Sequence, residues 1–462
     1  MKSPGKKKFM AFLVLVIVIP LLSSAILLKY REETKFHGDE SGWISSGFYY
    51  TNLLLKGDFT WRKWHNDRLG PWGYMNPHLG KWFIGLPLKL YFDDQEFSRQ
   101  YDFAKTREEN EKKGNIPPRE LLLHSRAVSA ILGGLCCLLI FTIGYACYNL
   151  WIGLIAAILL LSNKLFFIHA TRTMTDITYN FLLICLGLWA LLLLPKVSKK
   201  RMVLVSIFFG AFSGLACSVK ITGIVVGGLF FTTILIYKYA LHKNRKEILL
   251  FLVVFCLSAL AIVYILNPLF WPDFPMIRGS LLIHELRSFP GELKKITTAR
   301  EVPEGNTLEM YVEKYPQVTN LSHVFLFPYL FVKWNSFMNN QKNLPSASWH
   351  GNRLRTFHKS LLIKHSTFIF EGFFLLVGFI ICSKAMYNAL KNKDLTLLSV
   401  PLLYFLSNYI FILISMKINW SRYYLSTIMA SKIIIAVGIY GVCTYIYRYF
   451  CRSRCMPSPN ET

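Results

Sequence analysis

Apolar runs of about 20 residues recur along this chain, and they constrain its fold more than any motif does. A run of that length with few charges is what a helix needs to cross the hydrocarbon core of a bilayer. Ten such runs fall at roughly 9–28, 124–147, 150–168, 175–194, 202–219, 221–237, 247–268, 363–383, 395–415 and 423–447. Backbone polar groups inside lipid must be satisfied within the segment, so the runs predict helices and not open strands. With 53% of its residues hydrophobic, the chain reads as all-α, a polytopic integral membrane protein of about ten transmembrane helices. Residues 1–462 are expected to form a single membrane-embedded domain.

Lys and Arg beside membrane ends stay on the cytoplasmic side. The clusters Lys6-Lys7-Lys8, Lys196 to Arg201, Lys238 to Lys246, Lys384 to Lys393 and Arg448 to Arg454 share one side when there are ten crossings. Two long segments, 29–123 and 269–362, then lie outside the cytoplasm. The first carries two aromatic-rich stretches of helical length, Trp43 to Leu55 and Leu79 to Phe92, expected to lie flat at the interface, and a charged stretch, Asp93 to Pro118, read as a solvated excursion. In the second, Val324 to Val332 is too short to span and contains Pro328. Lys6 to Lys8 followed by an apolar core and Ser23-Ser24-Ala25 also describes a secretory signal. The uncleaved anchor is the reading taken, because cleavage would release the carboxylate pair Asp39-Glu40 from the helix that positions it.

These two carboxylates stand about ten residues past the first span. Carboxylates just outside a bilayer suit removal of a proton from a hydroxyl in water while an apolar reagent arrives from the lipid. The net charge of +26 lies on membrane flanks and outer loops without the aromatic-interleaved basic stripe of a nucleic-acid binder. Anionic headgroups and a phosphate-bearing substrate account for it, and no nucleic-acid partner is expected. The ten cysteines fall in spans or the final tail, so none is expected to bridge the outer loops.

The order of short motifs carries a resemblance. After Asp39-Glu40 come Asn76-Pro77-His78-Leu79-Gly80-Lys81, Arg126 at the head of the second span, and Arg172-Thr173-Met174-Thr175-Asp176 between the third and fourth. Gly214-Leu215-Ala216 with Lys220 and then Arg422-Tyr423-Tyr424 complete the series. This succession resembles the C-type glycosyltransferase superfamily, in particular its protein O-mannosyltransferase and aminoarabinose transferase branch. The family's His-Pro-Pro-Leu-Gly-Lys reads Asn-Pro-His-Leu-Gly-Lys here, with the histidine two positions later.

Moving a sugar from a polyprenyl phosphate to a hydroxyl needs a base, cations for the leaving phosphate and a dry path for the lipid. Asp39 is the candidate base. Glu40 is expected to orient Asp39 or the acceptor, or else to cap the following helix. Arg172, Lys220 and Arg422, each at the outer end of a predicted span, are the candidate phosphate ligands, against plain snorkelling as the simpler reading. Asp176 is four residues after Arg172 and suited to pairing with it on one helical face; the resemblance implies a second essential acid there. Arg126 is suited to pairing with an acid of the first outer segment, and His78, Lys81 and Tyr423 are supporting candidates. No cluster of His and carboxylates demands a metal, and a divalent cation is not indicated.

The resulting expectation is an inverting membrane glycosyltransferase with a polyprenyl-phosphate sugar donor. Its acceptor hydroxyl belongs to a protein, a lipid or an envelope glycan, and its site lies on the extracytoplasmic face of a bacterial plasma membrane. The alternative is a transporter or flippase of lipid-linked or amphiphilic substrates, which would place charges or broken helices near mid-membrane.

Overall fold

The computed structural model describes residues 6–64, 76–92, 97–193, 199–242, 245–268, 366–392, 399–415 and 421–454. Among them every regular element is helical. The second expected outer segment, 269–362, lies outside the described residues.

Ten of the helical stretches coincide with the ten apolar runs. They are α1 (Lys6–Tyr30), α6 (Arg119–Cys147), the pair α7 (Leu150–Leu161) and α8 (Lys164–Ala170), α9 (Thr175–Leu193), α10 (Lys199–Cys217), α11 (Thr222–His242), α12 (Arg245–Leu266), α13 (Ser366–Lys391), α14 (Val400–Ser415) and α15 (Leu425–Arg454). By length and composition five of them suffice to cross a membrane, or six if the bent pair α7–α8 counts as one span. Four others are shorter apolar helices. The expected count of about ten is therefore supported for five or six crossings, and the shortfall is one of length and not of apolar character.

The third expected span, 150–168, is not straight. It bends by 69° between α7 and α8, because Asn163 interrupts the apolar run and its side chain accepts the Phe166 N–H at 3.1 Å, starting a new helix. Asn149 caps α7 in the same way, accepting from the Trp151 and Ile152 N–H groups.

The helices pack around a core that includes Phe141, Phe166, Phe167, Phe209, Phe230 and Tyr404. Outside it, large apolar side chains such as Leu21, Ile158, Leu257 and Leu376 are about 60% exposed. An apolar exterior around a packed core is what lipid permits and water does not.

Segment 29–123 holds three smaller helices, α2 (Asp39–Leu55), α3 (Trp61–Trp64) and α4 (Leu79–Tyr91), of which α4 packs against α6 and α9. The two interfacial stretches read from the sequence are α2 and α4, and they cross closely. A Cβ on Gly85 would overlap the Gly47 carbonyl and the Thr51 hydroxyl, so glycine is what lets the backbones meet. The charged stretch after α4, expected to be a solvated excursion, is more ordered than that. It holds α5 (Arg107–Lys112), opened by a reciprocal capping box between Thr106 and Glu109. Asn110, fully buried, donates to the Asp102 and Thr106 carbonyls and accepts from the Asp102 N–H. Ser41 donates to the Asn115 carbonyl at 2.8 Å, tying the excursion to α2.

Candidate active site

The loop after α1 runs into Asp39 and Glu40, the first two residues of α2, and three local hydrogen bonds set its shape. The Asp39 N–H donates to His37 Nδ1 at 3.2 Å, and the His37 N–H donates to Glu40 Oε2 at 3.0 Å. The Glu40 N–H closes on the His37 carbonyl at 2.9 Å. The N-cap position is Gly38, so His37 and Glu40 tie the chain one residue outside it. Because Nδ1 accepts, the proton of the neutral ring belongs on Nε2. Burial pushes the imidazole down to about 4, against the pull of Asp39, so it is neutral near pH 7. Behind the turn, a Cβ on Gly38 would lie 2.7 Å from the rings of Tyr101 and Phe103. Glycine is thus required for the excursion to press against the loop that holds Asp39.

Glu40 turns away from Asp39 into the protein. Its Oε1 accepts from Arg126 Nε at 2.8 Å and the Thr173 N–H at 2.9 Å, and its Oε2 accepts from Arg126 Nη2 at 2.7 Å as well as from His37. Every lone-pair direction of the carboxylate is occupied, and both side chains are almost wholly buried. Burial alone raises such a carboxyl, but the charge and hydrogen bonds of Arg126 outweigh it and hold Glu40 below the usual carboxylate range. Arg126 Nη1 also donates to the Arg31 and Thr34 carbonyls. Glu40 therefore has no oxygen free for an acceptor.

Asp39 meets Arg422, 383 positions later in the chain, with Nη1 donating to Oδ2 at 3.0 Å. Arg422 sits in the single turn Ser421–Tyr424 that leads into α15. It also lines a small cavity together with Asp176, Asn180, Lys220, Thr222 and Ser426. Across that cavity Lys220 pairs with Asp176, and His169 Nδ1 lies 3.6 Å from the same carboxylate. The expected pairing of Asp176 with Arg172 is replaced by these contacts. Arg172 lies in the loop between α8 and α9, so the four-residue spacing does not place the two on one helical face. Arg172 is buried instead near Glu40, Arg126 and Asp39, and its Nε has no hydrogen-bond partner among the described residues. Burial lowers its guanidinium to about 10, which leaves it cationic at neutral pH.

His78 and Lys81 are elsewhere. They sit at the start of α4 among the rings of Tyr50, Trp64 and Trp82, with Lys81 Nζ 4.2 Å from the Tyr50 centroid and donating to the Asn76 carbonyl at 2.6 Å. Burial pushes the Lys81 ammonium well below its usual range. Neither residue lines the cavity. The Tyr423 side chain lies outside the described residues. Among the described residues no group of three or more His, Cys, Asp and Glu side chains gathers to hold a metal ion. His37 and Asn180 carry no motif in the sequence, and Thr173 enters only within the Arg172 to Asp176 motif.

Residues 73–277 match the family model for dolichyl-phosphate-mannose-protein mannosyltransferase. The resemblance carried by the ordered motifs is thus to a family the chain matches over that stretch, which takes in the Asn76 to Lys81 motif, Arg126, Arg172, Asp176 and Lys220. Asp39, Glu40, Arg422 and Tyr423 fall outside it. No curated protein matches the chain. Among solved structures, the archaeal oligosaccharyltransferase AglB from Archaeoglobus fulgidus, in complex with an inhibitory peptide and a dolichol-phosphate, is similar at 15% identity and a TM-score of 0.50, covering 99% of this chain and 53% of that one. ArnT from Cupriavidus metallidurans bound to undecaprenyl phosphate gives 13% identity and a TM-score of 0.47, covering 93% of this chain and 60% of its own. The chain thus spans little more than half the length of these proteins. The likeness to AglB is one of fold.

Proposed function

We propose that the chain is a membrane glycosyltransferase that moves a sugar from a polyprenyl-phosphate donor to a hydroxyl acceptor. The observation that carries this reading is the meeting of Asp39 with Arg422 at 3.0 Å, where Arg422 also lines one cavity with Lys220 and Asp176. A base held beside one of two cations that share a cavity is what the reaction requires. The family match over 73–277 and the fold shared with a protein solved with a dolichol-phosphate support the donor class.

In this reading the donor phosphate is held by Arg422 and Lys220, with Arg172 adding positive potential from behind. The arriving phosphate competes with Asp39 for Arg422, so the carboxylate is released when the donor is in place. Asp39 then takes the proton of the acceptor hydroxyl, whose oxygen bonds to the anomeric carbon. The bond from that carbon to the phosphate oxygen breaks with its electron pair, and the lipid phosphate leaves as an anion on the two cations. Direct displacement inverts the anomeric centre. Glu40 and Arg126 hold the turn that aims Asp39, and Asp176 positions Lys220. The sugar is a hexose or pentose, and the acceptor is a protein Ser or Thr, a lipid headgroup or an envelope glycan. The Lys and Arg distribution favours the extracytoplasmic face of a bacterial plasma membrane for the site.

The test is incubation of the purified protein with a panel of polyprenyl-phosphate sugars and mass spectrometry of the released lipid phosphate. Asp39→Asn is expected to lower turnover about 10²- to 10⁴-fold, the usual worth of general-base catalysis, with membrane insertion and protein level unchanged. Full turnover in that variant removes Asp39 from the reaction, and no release from any donor removes the transferase.

A further inference from the structure

Asn180 follows Asp176 by one turn of α9 and lines the same cavity. Its Nδ2 donates to the Asp176 carbonyl at 2.7 Å. A backbone carbonyl only accepts, so this bond fixes which end of the amide is nitrogen and leaves Oδ1 as the other. The residue is 2% exposed, and Oδ1 has no hydrogen-bond partner among the described residues. A buried amide oxygen is costly to leave without a donor, so a position that keeps one calls for something to supply the proton.

No donor among the described residues lies within hydrogen-bond reach of Oδ1, the Thr222 hydroxyl being turned to Tyr179 Oη at 3.2 Å and Lys220 to Asp176. The cavity therefore offers two kinds of contact. Lys220 and Arg422 suit an anion, whereas Asn180 Oδ1 suits a proton donor. An ionised phosphate oxygen has no proton to give, so the partner of Oδ1 is another part of the ligand. An ammonium group would enter beside two cations, which disfavours it. A neutral hydroxyl meets no such cost.

We infer that Asn180 is a specificity residue whose side-chain oxygen accepts a hydrogen bond from a hydroxyl of the donor sugar, separating sugar-bearing lipid from bare lipid phosphate. This rests on the donor class proposed above and assigns the part of the cavity that reads the ring.

The experiment measures binding of dolichyl-phosphate mannose and of dolichyl phosphate to the full chain in detergent, wild type against Asn180→Leu. Loss of one buried hydrogen bond to the sugar is expected to weaken the sugar-bearing lipid about tenfold and to leave the bare lipid phosphate within about twofold. Equal affinities in both proteins overturn the inference, as does an equal loss on both lipids, which would mark Asn180 as structural or as the seat of a water only. A second arm needs no variant to fold: singly deoxygenated dolichyl-phosphate mannoses against the wild type should show one position that costs about tenfold, and no such position overturns the inference. In Asn180→Leu that position should cost nothing further. Failure of the wild type to bind these lipids or any polyprenyl-phosphate sugar of the panel above would instead remove the donor class itself, a result distinct from wild-type binding that Asn180→Leu leaves untouched.

Discussion

Replacing Glu40 by Gln separates a scaffold from a catalyst, because the geometry dictates what is lost. The Glu40 carboxylate accepts four hydrogen bonds, two from Arg126 and one each from the Thr173 and His37 N–H groups. A glutamine keeps one oxygen for two of these donors and turns an NH₂ toward the other two, so two donors face a donor. Arg126, 2% exposed, then keeps its charge without a counter-charge, although Nη1 retains the Arg31 and Thr34 carbonyls. Leaving one member of a buried pair uncompensated costs about 3–5 kcal/mol. Arg126→Met should cost a similar amount, since it strands a carboxylate of zero exposure. The double variant Glu40→Leu, Arg126→Met should cost clearly less than the two together, because it leaves neither charge behind. Denaturant unfolding of the purified protein in detergent measures all three, alongside turnover per folded molecule. The reasoning is refuted if Glu40→Gln loses under about 1 kcal/mol while turnover vanishes, for that outcome would make Glu40 a participant in the chemistry.

Two other outcomes are expected at the same site. Arg422→Gln and Lys220→Met should each weaken donor binding about 10- to 100-fold, the worth of a charge-assisted hydrogen bond to phosphate, and a donor titration of turnover checks this. Stability should fall as pH drops from about 6.5 through about 4, because the imidazole of His37 is held near 4 in the fold and at its ordinary 6.5 in the unfolded chain, which therefore takes up the proton first. The loss is smaller than the full depression implies, since the His37 side chain is 31% exposed. Glu40 adds a second loss below its ordinary 4.5, where the unfolded carboxyl is protonated before the folded one. Unfolding of His37→Asn across this range should show the second decline without the first.

Apolar run length was enough to find the helices, because a stretch such as α6 has no other stable state in lipid. It was not enough to count crossings. A helix like α14, with 16 residues, rises about 24 Å at 1.5 Å per residue, short of a hydrocarbon core of about 30 Å. Breaks inside runs were also written in the sequence in a weaker hand. Asn163 marks the bend between α7 and α8, and Thr106 with Glu109 marks the helix inside the charged excursion, each through a cap and not through periodicity.

The ordered motifs pointed to residues 39, 126, 172, 220 and 422, and the structure brings these close together whatever their separation in the chain. Partner choice needed coordinates. Spacing rules hold only inside a helix, so Arg172, one loop too early, yielded Asp176 to Lys220. Asp39 and Glu40 show the limit most sharply. Adjacent residues in the first turn of a helix point about 100° apart. One carboxylate therefore swings to Arg422 beside the cavity, while its neighbour is driven into the protein against Arg126. Two acids that look equivalent in sequence are parted by that rotation, and in the proposed reaction it is Asp39, not the fully hydrogen-bonded Glu40, that takes the proton.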